Sequence, residues 1–452
     1  MHRLVRHHDL LVDGKPTAGE GAEHERSCAG DGKASSCSHF CSKSPQRAPA
    51  VVFFCETHPQ CMIIAIMVIM INRTQAIYTL VALCGLAICG VSANAAEYRL
   101  TEISPAADQC PTYPAAMNAT AEVAGTSGEV AFHFLNGMKE NLGSLIGGKE
   151  SCAYAINNLG QVVGDSTFND SGIRHATLYV KGEATDLGTL KNGDYSMARG
   201  INDSGAIVGY AGPELISNFT QAFLFEEQIG MQDLGSLGGD YSQALAISNS
   251  RFITGNSQLV TGSNVRHAFL WDSTSGMVDL GTLANSLTGI PSNESSYGTF
   301  VNNAGHVVGY SELDETTKRV HAFLYDGTKM RDLGSLGPKA SESDQSIALG
   351  VNSKDVVVGT SFQNHTGGEL VQVAFIYRDG VMTNLNSLVE FPNDAPYRLR
   401  SATAINDAGQ IAAQAVNEKT GELRGFLLTP NVLQSPLRVG PQSSTAARSS
   451  KR

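Results

Sequence analysis

Arg266-His267-Ala268-Phe269-Leu270-Trp271, then Asp279-Leu280-Gly281, then Val301-Asn302, then His306-Val307-Val308-Gly309 is one copy of a sentence that the chain writes seven times between Glu97 and Pro430. Its parts are an H-A-F-L segment, a D-L-G segment, an A-x-A-I-N segment and, after a tight turn, G-x-V-V-G. A period of roughly 40 to 50 residues marks a repeat architecture. Alternating β-branched and aromatic residues in runs of four to six, separated by Gly, Asn, Asp and Ser, read as strands and leave no room for an amphipathic helix. In Asn202-Asp203-Ser204-Gly205 and Asn406-Asp407-Ala408-Gly409, Asn opens a type I turn and Gly closes it in the left-handed region. Four short antiparallel strands per unit match a propeller blade.

The count of each segment is seven. The Asn slot holds Asn118, Asn157, Asn202, Ser248, Asn302, Asn352 and Asn406; the H-A-F-L segment recurs at Phe132, Ala176, Phe223, Phe269, Phe323, Phe375 and Phe426. The chain begins with a D-L-G-type strand at Arg99-Leu100 and ends with an H-A-F-L-type strand, so the register is permuted. The expected fold is all-β, a seven-bladed β-propeller of four-stranded antiparallel blades closed by pairing the N- and C-terminal strands in one blade.

Arg266-His267-Ala268-Phe269-Leu270-Trp271, Val320-His321-Ala322-Phe323-Leu324-Tyr325 and Ala404-Ile405-Asn406-Asp407-Ala408-Gly409 resemble the HAF repeat family of bacterial extracellular repeat proteins. The resemblance covers nearly all of residues 97 to 430. Gln221, Val373 and Gly425 depart from it by replacing the first His, Ser248 by replacing an Asn, and Ala413 by replacing the closing Gly. It implies export and a repeat architecture, and no reaction.

Ahead of the repeats, Arg73 precedes an apolar run from Ala76 to Val91, and Ala93-Asn94-Ala95 offers the small residues a signal peptidase requires. Residues 67–95 therefore read as a signal peptide, 96–430 as the propeller, and 1–66 as a leader that comes from a start assigned too early. The apolar run is short of the ~20 residues of a spanning helix, so no stable membrane span is expected after cleavage. Leu86-Ala87-Ile88-Cys89 looks like a lipidation box, but Ile88 is too large for the residue before the cysteine. After Pro430 the chain turns to Ser, Arg, Pro and Gly, so 431–452 read as a disordered basic tail.

The whole chain carries a formal net charge of -11, yet Glu97 to Pro430 alone holds 20 Lys plus Arg against 36 Asp plus Glu. An acidic body of this kind repels phosphate backbones, and nucleic acid is not an expected partner. Cys110 and Cys152 are the two cysteines after the signal peptide; both fall in loops of neighbouring blades, and an exported pair of this kind is expected to form a disulfide.

Strand parity assigns the loops to two faces. Turns within H-A-F-L/D-L-G and A-I-N/V-V-G are short; the connections on the opposite face include long ones at 284–298, 312–318, 362–369 and 389–401. Insertions gathered on one face mark it as the expected binding face. Tyr113, Tyr154, Tyr195, Tyr241, Tyr297 and Tyr397 each lie within nine residues before the Asn slot. With the A-I-N strand innermost they would surround the channel mouth, either as a stacking surface for a sugar or extended polymer or as caps on the core.

Other motifs carry less chemistry. His175, His267 and His321 share one slot, and a hydrogen bond from each to Asp186, Asp279 and Asp332 explains them better than a metal ring. Gly164-Asp165-Ser166 resembles a serine-hydrolase block but aligns with Gly309-Tyr310-Ser311 and Gly359-Thr360-Ser361 of other repeats. No catalytic residue, metal ligand or cofactor motif emerges from the mature region. The expectation is a secreted, periplasmic or extracellular, monomeric and non-enzymatic binding or scaffold protein that takes a glycan or protein partner on its long-loop face. A polysaccharide hydrolase or lyase with acidic residues at the channel mouth, and a purely structural surface repeat, are the alternatives.

Overall fold

The computed structural model describes residues 96–431 except 104–110, 170–171, 192, 214–218, 285–292, 315, 365–367 and 392–394. The expectations for the leader and signal peptide, and nearly all of the tail, lie outside these residues. The chain divides into two compact units; one, 15–91, lies outside the described residues, and the other holds every strand below.

Seven four-stranded antiparallel sheets form a ring, a seven-bladed β-propeller. In blade one the strands run, from the axis outward, Thr112–Met117, Val123–Ser127, Val130–Leu135 and Met138–Gly143. Blades two to six repeat this order from inner strands Ser151–Ile156, Tyr195–Ile201, Ser242–Ile247, Ser296–Val301 and Ser346–Val351. The A-x-A-I-N strand is innermost, and each inner strand packs against those of both neighbouring blades. Blade seven consists of Tyr397–Ile405, Ile411–Asn417 and Leu423–Pro430, with Tyr98–Glu102 from the start of the propeller as its outermost strand. Tyr98 pairs with Pro430 and Glu102 with Phe426, and the Asn431 backbone N–H donates to the Glu97 carbonyl at 2.7 Å. The permuted register is thus the closure of the ring.

The motif letters have separate physical causes. The last Gly of G-x-V-V-G lies so close to the inner strand that a Cβ at Gly209 would stand 1.8 Å from the Met197 carbonyl oxygen and 2.8 Å from the Phe223 ring. That Phe and its equivalents Phe132, Phe269, Phe323 and Phe375 are fully buried between blades. The x of A-x-A-I-N is a β-bulge in every blade: Ala115, Tyr154, Arg199, Leu245, Thr299, Leu349 and Thr403. Blade seven, where Ala413 replaces the close-packed Gly, has a second bulge at Arg400. Three residues after the Asn slot the backbone is left-handed in all seven blades. Gly160, Gly205, Gly305 and Gly409 fill that position in four, and Ala121, Arg251 and Asp355 in three.

The Asn side chain ties blade to blade. In blade three, Asn202 Oδ1 accepts from the backbone N–H of Ser204 and Ala206, fixing the turn, while Nδ2 donates to the Ser248 carbonyl of blade four. The same Nδ2-to-carbonyl bond runs from Asn118 to Asn157, Asn157 to Asn202, Asn302 to Asn352, Asn352 to Asn406, and Asn406 back to Asn118, at 3.1 to 3.3 Å. Ser248, too short to reach blade five, leaves the belt open at that seam. At net worth of about 1 kcal/mol per bond, six such links add substantially to a marginal balance.

Two expected long loops are partly strand. Pairing in blade six continues to Asn364 opposite Leu370, so Phe362, Gln363 and Asn364 of the expected loop 362–369 belong to a strand. In 389–401, the last residues belong to the inner strand Tyr397–Ile405. Across the seam of blades six and seven the extended strands are tied by Arg398, which donates to the Gln372 carbonyl, and by Arg400 Nε, which donates to Gln372 Oε1 at 3.1 Å. Among the described residues, no helix is long and apolar enough to cross a membrane.

Candidate functional site

Two openings are candidates, one on each side of the disc. On the long-loop side a pocket of about 550 Å³ lies between blades five and six, lined by Arg319, His321, Asp332, Ser335, Lys339, Asp344 and Tyr377 among others. His321 stands at the start of an H-A-F-L strand, and its Nδ1 meets Asp332 at 2.9 Å across the D-L-G strand. Its Nε2 meets Asp344 Oδ1 at 2.9 Å, in the segment leading to the next blade. Asp344 also accepts from Ser335 Oγ at 2.7 Å, from the Ala340 backbone N–H at 2.7 Å and from Arg319 Nη1 at 2.8 Å.

This geometry sets the ionisation of both groups. Burial pulls the His321 pKa down, but the hydrogen bonds and charges of Asp332 and Asp344 outweigh it, and the value is raised. For Asp344, burial pushes the pKa up, yet the donors Ala340, Ser335 and His321 hold it below the usual carboxylate range. Both partners are favoured in their charged forms, and the network closes on itself.

The expected His–Asp pairs are present: His175 Nδ1 to Asp186 at 2.8 Å and His267 Nδ1 to Asp279 at 2.8 Å, besides His321. What the sequence reading missed is the second acid. Asp344 lies two residues before the Ser that opens the inner strand, and Asp194, Asp240 and Glu294 hold the same place in other copies; aligning the copies on that Ser would have found it. The Ser itself is a clip: Ser346 Oγ accepts from the Ala322 backbone N–H and donates to the Gly334 carbonyl. Ser166, Ser311 and Ser361, from the hydrolase-like block, each accept from a D-L-G-S-L leucine N–H, those of Leu145, Leu283 and Leu336, at 2.9 Å.

The six tyrosines are not brought to one level. Counted back from the Asn slot, Tyr154 is third, Tyr113 and Tyr297 fifth, Tyr195 and Tyr241 seventh, and Tyr397 ninth. At about 3.3 Å per residue that spreads them over roughly 20 Å of strand. Tyr195 and Tyr241 are buried. The Arg199 guanidinium covers Tyr154 at 4.0 Å, Arg266 covers Tyr241 at 3.7 Å, and Tyr297 stacks on Tyr310 with centroids 4.8 Å apart. Tyr154, Tyr241 and Tyr297 are thus covered by neighbouring side chains.

The Cys110–Cys152 bridge is not shown. Cys110 lies outside the described residues, and Cys152 is a free thiol 3.4 Å from Arg174 Nη2. Arg174 is committed to the buried Asp165 and to Glu150 at 2.8 Å, and burial together with Asp165 pushes the thiol pKa up. A thiol held protonated in this way is a poor nucleophile. No group of three or more His, Cys, Asp or Glu is placed to hold a metal among the described residues.

The second opening is axial, on the short-turn side, where all seven inner strands end. A cavity of about 190 Å³ is lined by the apolar residue before each Asn slot, by the slot itself in six blades, by the residue after it, and by Phe300.

Comparison with known proteins adds a partial family match. Residues 235–429 match the family described as "Protein of unknown function (DUF3466)". This corrects the resemblance drawn from the H-A-F motifs: the matched family is an uncharacterised one, and no HAF repeat family is matched. The letters that suggested it are blade-packing letters, which unrelated propeller repeats can share for the reasons given above. No curated protein matches the chain. Among solved structures, a Mycobacterium tuberculosis puromycin-hydrolyzing peptidase is 13% identical at TM-score 0.41 over 70% of this chain and 53% of that one. This chain thus spans about half of the peptidase's length. The SapL1 lectin, in complex with alpha methyl fucoside, is 14% identical at TM-score 0.29, covering 63% of this chain and 97% of that one. The Podospora anserina α-L-arabinofuranosidase PaAbf62A, in complex with cellotriose, is 9% identical at TM-score 0.25, covering 72% and 99%. Likenesses at this level carry no argument about function.

Proposed function

We propose that the protein is an exported, non-enzymatic binding module that takes a glycan or protein partner on its long-loop face. One observation carries this reading: in the pocket between blades five and six the histidine and the aspartates, the groups that could act as acid or base, are held by one another and by Arg319. A general acid or base needs a face turned to substrate. His321 has both ring nitrogens on carboxylates, and Asp344 receives four donors. What such a pocket offers a partner is its fixed shape, the Tyr377 side chain and the exposed Lys339. Export rests on the run Ala76 to Val91 followed by Ala93-Asn94-Ala95.

The test is a binding screen of the protein against cell-wall and extracellular glycans and against surface proteins, repeated with Lys339→Ala and Tyr377→Ala. Partner binding that both substitutions weaken supports the reading. Turnover of a polysaccharide that His321→Gln abolishes would replace it with the enzymatic alternative.

A further inference from the structure

The axial cavity on the short-turn side has one aromatic residue where its repeat equivalents are minimal. Two places before the Asn slot stand Ala116, Ala155, Gly200, Ala246, Gly350 and Ala404 in six blades, and Phe300 in the seventh. The neighbouring inner strand is close at this level: a Cβ at Gly200 would lie 3.0 Å from the Ile247 nitrogen, and one at Gly350 lies 3.3 Å from the Ala404 Cα. A large side chain there can extend only toward the axial opening. Phe300 lines the cavity and is 37% exposed.

The polar rim above it is uneven. The residues after the Asn slot form a second belt, in which a backbone N–H donates to the side chain of the next blade: Asn158 to Asp203, Asp203 to Asn249, Asn249 to Asn303, and Ser353 to Asp407, at 2.8 to 2.9 Å. In blades two to four the side chains consume one another, since Asn158 Nδ2 and Asn249 Nδ2 both donate to Asp203 Oδ2, at 2.8 and 2.6 Å. In blades five to seven the Asn303 amide NH₂, the Ser353 hydroxyl and Asp407 Oδ2 have no partner among the described residues. The open arc therefore lies in three successive blades, the first of which carries Phe300.

We propose that this cavity is a binding site for a single neutral sugar ring, distinct from the loop-face pocket. An exposed aromatic face takes the C–H face of a pyranose. An amide donor, a hydroxyl and a carboxylate acceptor in an arc suit vicinal hydroxyls, each of which donates and accepts once. The cavity lining contains no Lys or Arg, so nothing favours an anion. An ammonium ligand wants a cage of several aromatic faces, and here there is one. At about 190 Å³ the cavity lies below the roughly 300–1,000 Å³ of pockets that take drug-sized ligands, the scale of one ring and not of an oligosaccharide.

The experiment uses the full chain and a panel of neutral methyl glycosides, with glucuronic acid and tetramethylammonium as charged comparisons, read by saturation-transfer NMR and calorimetry. The expected result is binding of one or more neutral glycosides, weakened about tenfold by Phe300→Ala, retained by Phe300→Tyr, and reduced by Asp407→Ala with Ser353→Ala. Lys339→Ala and Tyr377→Ala leave it unchanged, which separates this site from the loop-face pocket. Thermal melts of each variant report whether the ring remains folded. The proposal is overturned if no neutral glycoside binds, if Phe300→Ala binds as wild type while still folded, or if tetramethylammonium or glucuronic acid is preferred.

Discussion

The Asn157 side-chain amide donates to the backbone carbonyl of Asn202, 3.1 Å away in the next blade, while its Oδ1 accepts from the backbone N–H of Leu159 and Gln161 in its own turn. One side chain thus closes a hairpin and fastens a seam. A further bond runs from its Nδ2 to Gln161 Oε1 at 2.7 Å, so Asn157→Ala removes four bonds from a buried position and is expected to lower unfolding free energy by about 2–4 kcal/mol. Asn157→Asp keeps both acceptor bonds but turns a buried carboxylate oxygen toward the Asn202 carbonyl and Gln161 Oε1, and should cost at least as much near neutral pH. Urea denaturation of the two variants measures the difference; a clearly smaller loss for Asn157→Asp would show that the acceptor bonds of the turn outweigh the inter-blade donor.

Ser248 is where that belt is open. Ser248→Asn supplies the missing amide toward Asn302 and is expected to stabilise the ring by about 1 kcal/mol, seen as a higher midpoint in the same denaturation. A neutral or lowered midpoint would mean that the seam between blades four and five is spaced differently from the others.

Gly209→Ala places a methyl group 1.8 Å from the Met197 carbonyl oxygen. Backbone on both sides must separate, and a loss of about 3 kcal/mol or more is expected. Ala121, by contrast, is a non-glycine residue at φ 65°. Ala121→Gly relieves about 1 kcal/mol of left-handed strain, partly offset by the freedom glycine gains in the unfolded chain. Opposite signs for these two exchanges are the check.

The His321 clip has a defined pH window. Its folded pKa is raised, so the stability it lends is complete below the unfolded value of about 6.5 and is lost as pH rises through the folded value. Asp344 is lowered, so its share is present above its ordinary value of about 3.9 and is lost as pH falls through the folded one. The stability gap between wild type and His321→Gln should therefore be widest near pH 5–6 and narrow toward pH 9, measured by urea denaturation across that range. A gap independent of pH would show that the ring acts as a neutral hydrogen-bonding group.

Phe323 is fully buried and Phe300 is not. Phe323→Ala is expected to cost about 3–5 kcal/mol and Phe300→Ala much less, by thermal melting.

The architecture was legible because blade packing forces the same residue at the same place: in six blades Gly209 and its glycine equivalents leave no room for a Cβ, and Phe223 and its equivalents fill the space between blades. Strand parity and the closing strand followed from counting. The site was less legible for the opposite reason. Asp344 acts across a seam, and its link to His321 spans a blade boundary that adjacency within one repeat does not reveal. Phe300 stands out only once the place two before each Asn is known to lie close against the neighbouring inner strand. The heights of the tyrosines were not legible because proximity to the Asn slot says nothing of height, and each two residues along a strand move a ring by about 7 Å.

The outermost strand of blade seven comes from the start of the propeller, and Asn431 reaches back to the Ala96 carbonyl across 335 residues of chain. Biosynthesis runs in one direction, so Tyr98–Glu102 is made first and must wait, unpaired, until Leu423–Pro430 exists. The last contact formed is then the one of greatest sequence separation, which makes ring closure the slow step of folding. Until that moment the nascent chain carries an orphan edge at each end, the interval in which two copies could exchange these strands and emerge as an interlocked pair.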